Sequence, residues 1–223
     1  ESDNQTHALF VQGSDGFVGI NNTAPQAPLH IQANDTADLL RFTVNANEVW
    51  AFKGASVSAP TTANDTISFG IAGGTQAMTW DEAGRCTKPN QPAFLAIPAS
   101  QQANLAVGSA VDIAFGTEVF DINSDFASSV FTAPVTGKYQ LSFQLRVDAI
   151  DSDANYYQFK IVTSNRTYTN IFAFGAATYY NPGSSILADM DAGDTAKVTF
   201  LQGSGTAQTD IDTESYFSGI LVA

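Results

Sequence analysis

The sequence predicts an all-β protein. Its composition favours strands, because the chain has 16 Phe but only 2 Met and its apolar residues come in short runs rich in Val, Ile, Thr and Phe. No window places apolar residues at helical spacing for three turns. The clearest strand follows residue 137, where Tyr139, Leu141 and Phe143 alternate with polar residues. That alternation is typical of a strand with one buried and one wet face.

Length and charge limit the classes of function. A chain of 223 residues is long enough for one large or two modest domains, each with its own core. The net charge of -13, from 22 acidic and 9 basic residues, repels phosphate backbones and anionic lipids. No apolar run approaches the ~20 residues of a membrane span. We therefore expect no nucleic-acid partner and no membrane insertion, and a surface that suits divalent cations.

The only cysteine and the first residues give two further expectations. Cys86 has no partner for an internal disulfide, and we expect it to be a small buried residue. The sequence begins Glu1-Ser2-Asp3, which is neither a start methionine nor a signal peptide. We therefore expect this polypeptide to be the C-terminal piece of a longer protein.

Residues 7–33 predict three short strands separated by turns. The strands are Leu9–Gln12, Phe17–Ile20 and Leu29–Gln32, and glycines and prolines fill the segments between them. Within this stretch, residues 18–31 read V-G-I-N-x-x-x-P-x-x-P-L-H-I. The run resembles a short element that recurs in the shafts of phage tail fibres and tailspikes, although Asn21 stands where that element has glycine.

Further strands are expected before a boundary near residue 90. They are Leu40–Val44, Val49–Lys53, Asp65–Ala72 and Ala77–Trp80, followed by a turn into Arg85-Cys86-Thr87. The polar run Lys88 to Pro92 contains two prolines and is the best candidate for a boundary. We predict a β-rich stem at 1–88, a linker at 89–92 and a head at 93–223. Because the stem has few large apolar residues, three chains about one axis would bury them better than one chain.

From Pro92 onward, strands recur at regular intervals with turn residues between them, which is typical of a β-sandwich. The predicted strands are Ala93–Ile97, Val111–Phe115, Ser129–Thr132, Lys138–Val147, Tyr156–Val162, Thr167–Phe174, Ser185–Ala188, Ala196–Gln202 and Tyr216–Val222.

Three segments of this half, in this order, resemble one family. Pro92-Ala93-Phe94 opens the half, and F-T-A-P-V-T-G-K-Y-Q-L-S-F lies at its centre, at 131–143. A-D-M-D-A-G-D-T-A-K-V-T-F at 188–200, followed by S-Y-F-S-G-I-L-V at 215–222, closes it. Together the segments resemble the globular head of complement and its tumour-necrosis-factor-like relatives.

The resemblance implies a ten-stranded jelly roll that assembles as a tight trimer. Its last strand is expected beside the first, buried on both faces near the trimer interface, and Gly219 is expected to mark a bulge or a close approach of two segments. Two local runs, F-D-x-x-x-D-F at 120–126 and T-S-N-R-T-Y at 163–168, are similar to variants in phage fibre proteins. The fold expected for the whole chain is a short trimeric β-rich fibre stem followed by a jelly-roll β-sandwich.

The two resemblances imply the tip of a bacteriophage tail fibre, assembled in the host cytoplasm and exposed on the virion. A homotrimer would bind a host cell-surface glycan or protein, and several copies of a weak site would give firm attachment. Two alternatives stay open: a secreted lectin-like or adhesin head of a bacterial or eukaryotic protein, and a trimerisation module of the fibre. The sequence suggests no cofactor apart from calcium.

The sequence offers no recognisable set of catalytic residues. The only histidines are His7 and His30, both in the predicted stem. It contains none of the motifs for a nucleophilic serine, a zinc protease or a phosphate loop. A glycosidase needs two carboxylates held apart across a cleft. In a chain with 22 acidic residues, such a pair could occur by chance and stays an open alternative. We predict a binding protein and no enzyme.

The order of the strands predicts which loops meet at the far end of the head. Successive loops of an antiparallel sandwich alternate between its two ends, so 203–214, 175–183 and 149–155 are expected to converge at the tip. Candidate receptor-binding residues in them are Tyr179, Tyr180, Asn181, Asp210 and Asp212. Aromatic and amide side chains are typical of sugar-binding and protein-binding surfaces. At the opposite end, 191–194 and 164–166 are expected to be tight turns.

The run Asp151-x-Asp153-x-Asn155 has the ligand spacing that opens an EF-hand loop. It is not an EF-hand, because Tyr156 stands where that loop needs Gly and Val162 where it needs Glu. Some relatives of the resembled family bind calcium near the tip. A simpler calcium site at these three residues, shared among chains, is therefore a hypothesis, and a solvated acidic loop is its alternative.

Overall fold

The fold was obtained as a computed structural model, which describes residues 9–32, 38–44, 48–55, 66–71, 76–81 and 83–223. The chain divides into an N-terminal unit, Glu1–Asn90, and a C-terminal unit, Gln91–Ala223. Every regular element in the described ranges is a strand, so the all-β prediction is confirmed. No helix in these ranges is long and apolar enough to cross a membrane. His7, Asp65 and Ala72 lie outside the described residues.

The described residues of the N-terminal unit form two sheets. In the first, β2 (Val18–Ile20) lies between an antiparallel β1 (Leu9–Val11) and a parallel β3 (Leu29–Ile31). The second is an antiparallel meander of β4 (Asp38–Val44), β5 (Glu48–Ala55), β6 (Thr66–Ile71), β7 (Gln76–Asp81) and β8 (Cys86–Thr87).

The expected burial of Cys86 is wrong for the single chain, in which this side chain is exposed. Cys86 lies on β8, a two-residue strand at the edge of the described meander, where its strand partner is β7. A short edge strand has neighbours on one side only, and its side chains are therefore poorly covered.

The C-terminal unit is a sandwich of two antiparallel sheets. The first sheet contains β9 (Ala93–Ile97), β11 (Thr117–Asp121), β14 (Gly137–Gln144), β19 (Gly183–Met190) and β22 (Tyr216–Leu221), in the order β11-β9-β22-β14-β19. The second contains β12 (Phe126–Ala127), β13 (Val130–Thr132), β16 (Tyr157–Thr163), β17 (Thr167–Phe172) and β20 (Thr195–Gln202), in the order β12-β13-β20-β16-β17, and β10 (Val111–Asp112) also pairs with β20. The last strand lies beside the first of the unit, with Phe217 opposite Ala96. The predicted jelly roll is therefore confirmed.

Three short strands form a further small sheet at one end of the sandwich. They are β15 (Val147–Asp148), β18 (Tyr179–Tyr180) and β21 (Asp210–Ile211), in the order β18-β15-β21. The sequence predicted loops at 179–180 and 210–211, and that assignment is corrected. A strand of two residues is too short to show an alternating pattern, so its pairing depends on distant partners.

Large aromatic side chains fill the space between the two main sheets. The ring of Phe94 stacks on Phe126 at 4.7 Å and on Phe131 at 4.8 Å between centroids, and it meets Phe217 edge-on at 5.0 Å. Beneath this cluster, a Cβ added at Gly219 would lie 2.5 Å from Cε1 of Phe94. Gly219 therefore allows the close approach that the sequence predicted at this position.

The outer face of the last strand differs from the prediction. The side chain of Phe217 points into the core and Gly219 is buried, but Ile220 and Val222 are 46% and 56% exposed. The expected burial on both faces is therefore wrong for the single chain, because no second layer of the described unit covers this side of the sheet.

Candidate binding surface at the tip of the sandwich

The two ends of the C-terminal unit are built differently. We call the end at which Gln91 begins the unit the base; there Gln91 Nε2 donates a hydrogen bond to the carbonyl of Leu221. The turns 164–166 and 191–194 lie at the base, where Asn165 Nδ2 donates to Asp194 Oδ2 at 2.6 Å. We call the opposite end the tip, and it includes the segments 145–156, 173–183 and 203–215.

The small sheet brings the tip segments together. On β15, Val147 lies opposite Tyr180 and Ile211, and Asp148 lies opposite Tyr179 and Asp210. Three of the five candidate receptor-binding residues, Tyr179, Tyr180 and Asp210, therefore share one sheet. Their side chains occupy positions set by strand pairing, which fixes a surface more firmly than a free loop does.

The two adjacent tyrosines have different environments. The ring of Tyr180 stacks on Phe174, with centroids 4.3 Å apart and planes 10° from parallel. Phe174 in turn lies 5.1 Å from the fully buried Tyr157, so Tyr180 is joined to the core. Tyr179, in contrast, is 54% exposed. Tyr180 therefore anchors the tip, and Tyr179 presents its ring at the surface.

Arg146 holds the exposed ring from one side. Its guanidinium carbon lies 5.2 Å from the centroid of Tyr179, within the range of a cation–π contact. Arg146 Nη1 donates to Glu214 at 2.6 Å and Nε donates to Asp148 at 3.1 Å. These hydrogen bonds, that to Glu214 first, raise the pKa of Arg146 above its usual range. The guanidinium therefore stays charged.

Sequence reasoning missed Arg146, Asp148 and Glu214. Glu214 is 68 positions from Arg146 along the chain, so no local motif joins them. The one signal in the sequence for Arg146 was the small number of cations: with 9 basic and 22 acidic residues, each basic residue is expected to pair with a carboxylate. That signal marks Arg146 as a residue of interest but does not identify its partners.

The other predicted receptor-binding residues have mixed roles. Asn181 is exposed beside β18. Asp210 Oδ1 accepts the backbone N–H of Asn104 at 2.7 Å. Asp212 Oδ1 accepts the N–H of Glu214 at 3.1 Å and so closes a tight turn before β22. Both aspartates thus accept backbone N–H groups and stabilise the tip segments, while Asn181 has its side chain at the surface.

The three residues of the calcium hypothesis are also separated in their roles. Asp151 is only 7% exposed, and its carboxylate accepts backbone N–H groups. Asp153 and Asn155 are exposed, and the N–H of Asn155 donates to Ser204 Oγ at 2.9 Å. Within the described part of the chain, no group of three or more His, Cys, Asp or Glu side chains is arranged to hold a metal ion. A calcium site here stays a prediction.

An open groove lies on the outer face of the first sheet, near the tip. Its volume is about 340 Å³. Its lining side chains are uncharged and include Ser142, Gln144, Ser185 and Tyr216. Gly183, which lies opposite Gln144, also lines the groove. This polar groove borders the exposed apolar residues of the same face.

Comparison with known proteins gives a family for the C-terminal unit. The family model described as the C1q domain matches residues 93–222. No curated protein matches the sequence. Similar solved structures include the globular domain of zebrafish complement 1qA protein, with 15% identity, 60% of this chain and 98% of that chain covered, and a TM-score of 0.45. Murine APRIL at pH 5.0 has 11% identity, 59% and 99% coverage and a TM-score of 0.45.

A viral protein is also among the similar structures. The PRD1 vertex protein P5 has 11% identity, 60% of this chain and 98% of that chain covered, and a TM-score of 0.45. Because the family model extends over more than half of the 223 residues, the protein belongs to the C1q domain family.

Proposed function

We propose that this protein is the receptor-binding end of a bacteriophage tail fibre, in which a homotrimer attaches the virion to the host cell surface. The observation that carries the proposal is the exposed ring of Tyr179, which Arg146 contacts and which lies next to Tyr180, a ring stacked onto the core. C1q-like and tumour-necrosis-factor-like domains are typically non-enzymatic binding modules and are commonly homotrimeric. A rigid aromatic group loses little side-chain entropy on binding and is therefore typical of recognition surfaces.

The fibre part of the proposal is supported by the element at 18–31. Asn21 stands where the resembled fibre element has glycine, and its φ is +54°. Among residues with a side chain, asparagine is one of the few that adopt this left-handed region readily. The departure from the fibre pattern therefore preserves the backbone conformation that glycine would provide.

The trimer is supported by the outer face of the first sheet. Large apolar side chains are exposed there, among them Phe120, Leu187, Ile220 and Val222. Soluble monomers rarely leave such a face uncovered, and its burial between copies contributes roughly 25 cal/mol per Å². Closed threefold symmetry would cover the face on every copy.

The charge of the tip restricts the receptor. Asp148, Asp210, Asp212 and Glu214 lie near a single cation, Arg146, which already pairs with two of them. Such a surface repels anionic ligands. We therefore propose a neutral glycan or a neutral or basic protein surface as the receptor. Three tips per fibre would convert a weak contact into firm attachment.

Binding is tested by comparing Tyr179→Ala with Val135→Ala on labelled protein added to a panel of bacterial strains. Val135 is a matched control, because it is 47% exposed and lies in the turn before β14, at the base. We expect Tyr179→Ala to abolish adsorption to a strain that the natural sequence adsorbs, with both variants keeping their Tm. Equal adsorption of the two variants would refute the role of Tyr179, and a panel without any adsorbed strain would refute attachment.

Assembly is tested by light scattering. A trimer has a mass of about 71 kDa, three times the chain mass of 23.6 kDa. We expect Ile220→Glu to dissociate it, while Ile171→Glu, on an exposed position of the other sheet, leaves it intact. A protein that trimerises through this face yet adsorbs to no strain would favour the second candidate, a trimerisation module of the fibre.

A further inference from the structure

We propose that Asp151 is a positioning residue: its buried carboxylate is an internal anion that binds the loop 203–209 to the loop 149–155 and thereby fixes the tip without a metal ion. The inference rests on the proposed function only in assigning the tip as the receptor-binding surface. The structural part, that the two loops are joined through this carboxylate, stands on the hydrogen bonds alone.

The carboxylate is surrounded by donors from two distant segments. Oδ1 accepts the N–H of Asp153 at 2.9 Å. Oδ2 accepts the N–H groups of Thr206 and Ala207, both at 2.8 Å, and Gln202 Nε2 lies 3.4 Å away. Hydrogen bonds to an ionised acceptor are the stronger kind, and low exposure strengthens them further. The same contacts, with the N–H of Asp153 first, lower the pKa of Asp151 below its usual value.

The loop around the carboxylate has the shape of an anion-binding nest. Gly205 has a φ of +100°, and the next two residues direct their N–H groups at Oδ2. Successive N–H groups that follow a left-handed residue form such a concavity for anions. A Cβ added at Gly205 would lie 2.2 Å from Oδ2 of Asp151. The loop therefore closes on the carboxylate as it would on a bound anion.

A buried polar network continues the same connection below Asp151. Tyr157 OH donates to the carbonyl of Asp151 at 3.0 Å and accepts its N–H at 2.9 Å. Gln202 Nε2 donates to the carbonyl of Ala207 at 2.8 Å, and Thr209 Oγ1 donates to Gln202 Oε1 at 2.7 Å. Tyr157, Gln202 and Thr209 are fully buried. These bonds hold both ends of the loop that Asp151 holds at its centre.

The position of the network explains how it acts on the receptor-binding surface. Loop 149–155 directly follows β15, and loop 203–209 directly precedes β21. These are two of the three strands that carry the tip sheet, and Tyr179 lies opposite Asp148 on β15. Joining the loops therefore fixes the strands that support the exposed ring. Backbone N–H donors already bind both oxygens of the carboxylate that the calcium hypothesis assigns to the metal.

The test begins with hydrogen exchange on the natural sequence. Thr206 and Ala207 have exposed side chains, but we expect their amides to be protected at least tenfold more than the amide of Thr213 at the same end of the unit. Asp151→Asn should reduce that protection, because the neutral amide has one acceptor oxygen instead of two and lacks the negative charge that strengthens these hydrogen bonds. Asp153→Asn, a matched control with an exposed side chain, should leave it unchanged. Neither millimolar calcium nor a chelator should shift the Tm.

Adsorption is then measured at 20 °C, where the variants remain folded. We expect Asp151→Asn to weaken adsorption several-fold while the trimer mass is unchanged, and Asp153→Asn to retain it. Unprotected Thr206 and Ala207 amides in the natural sequence would overturn the proposal even if Asp151→Asn fails to fold. A calcium-induced rise in Tm that Asp153→Asn abolishes would overturn it in favour of a metal site. Because hydrogen exchange needs no receptor, failure of the attachment proposal would leave this result intact.

Discussion

The chain reverses direction at both the base and the tip of the C-terminal unit, but the reversals are stabilised differently. At the base, short turns close on their own backbone: the N–H of Thr163 donates to the carbonyl of Arg166 at 2.8 Å, and Asp194 Oδ2 accepts the N–H of Asp191 at 2.8 Å. At the tip, the connecting segments are longer and are held by buried side chains. A long segment cannot satisfy its buried backbone groups by local turns alone, so it requires partners from elsewhere.

Binding chemistry is more readily accommodated at the tip than at the base. A tight turn exposes only a few small side chains, and its conformation depends on two or three adjacent residues. The tip instead has a buried network below and an aromatic ring above, so its surface can vary while its support is kept. Both ends use an aspartate that accepts backbone N–H groups, but only Asp151 is nearly fully buried.

The largest expected effect comes from adding one carbon at each end. In Gly205→Ala at the tip, φ is +100° and the new Cβ would collide with Asp151. In the control Gly193→Ala at the base, φ is +91° but no atom lies within 4 Å of the new Cβ. We expect Gly193→Ala to lower the free energy of unfolding by about 1 kcal/mol from backbone strain alone, and Gly205→Ala by roughly 3 kcal/mol. Urea denaturation measures both. Equal losses would mean that the tip is as adaptable as the base.

A smaller effect separates the anchoring tyrosine from the presented one. Tyr180→Ala removes a stacked, half-buried ring, and we expect it to lower the free energy of unfolding by about 2 kcal/mol. Tyr179→Ala removes an exposed ring and should change it by less than about 0.5 kcal/mol. Calorimetry on both variants checks the ratio. A larger loss for Tyr179 would show that the two rings have the opposite roles.

Asp125 and Asp151 differ in how their carboxylates are hydrogen-bonded. Oδ2 of Asp125 is buried without a hydrogen-bond partner among the described residues. Desolvation, then the charge of Asp121, raises the pKa of Asp125, whereas the pKa of Asp151 is lowered. The ionised Asp125 is therefore unfavourable in the fold at neutral pH. We expect Asp125→Asn to raise the free energy of unfolding by about 1 kcal/mol at pH 7.

The two shifted pKa values predict opposite changes of the free energy of unfolding with pH. A raised acidic pKa contributes stability fully below the unfolded value of 3.8, and that contribution is lost as pH rises through the folded pKa. The gain from Asp125→Asn should therefore shrink as the pH falls toward 3. For Asp151 the contribution is present above 3.8 and is lost as the pH falls through its lowered folded pKa. Denaturation of each variant from pH 3 to pH 7 measures both trends, and a constant gain for Asp125→Asn would contradict the assignment.

The smallest effect compares a cation at each end. Arg146→Lys keeps the charge but loses the planar group above Tyr179, and we expect roughly a 2- to 5-fold weaker adsorption with little change in Tm. Lys138→Ala at the base removes the exposed ion pair to Asp189 and should change neither quantity measurably. Adsorption isotherms distinguish the two variants. Similar losses would mean that general surface charge, and not the tip geometry, governs adsorption.

The two-sheet sandwich and most of its strands could be predicted from the pattern of residues. The alternation of Tyr139, Leu141 and Phe143 with polar residues appears as the buried and outer faces of β14, since a period of two leaves each side chain only one possible face. Ala93–Ile97 was predicted with the bounds that β9 has. The motif at 215–222 led to the pairing of the last strand with the first through the family it resembles, and strand periodicity alone would not have given that pairing.

The contacts that hold the tip together, and the side chains that face outward there, depend on long-range packing that the sequence does not reveal. The donors to the carboxylate of Asp151 at Thr206 and Ala207 are 55 and 56 positions away along the chain, and a backbone N–H has no sequence signature. The spacing of Asp151 and Asp153 predicted metal ligation from residue type alone, whereas burial gave Asp151 a structural partner. Likewise, the sequence cannot distinguish the adjacent residues Tyr179 and Tyr180, which are of the same type. Their roles differ because Phe174 stacks on Tyr180.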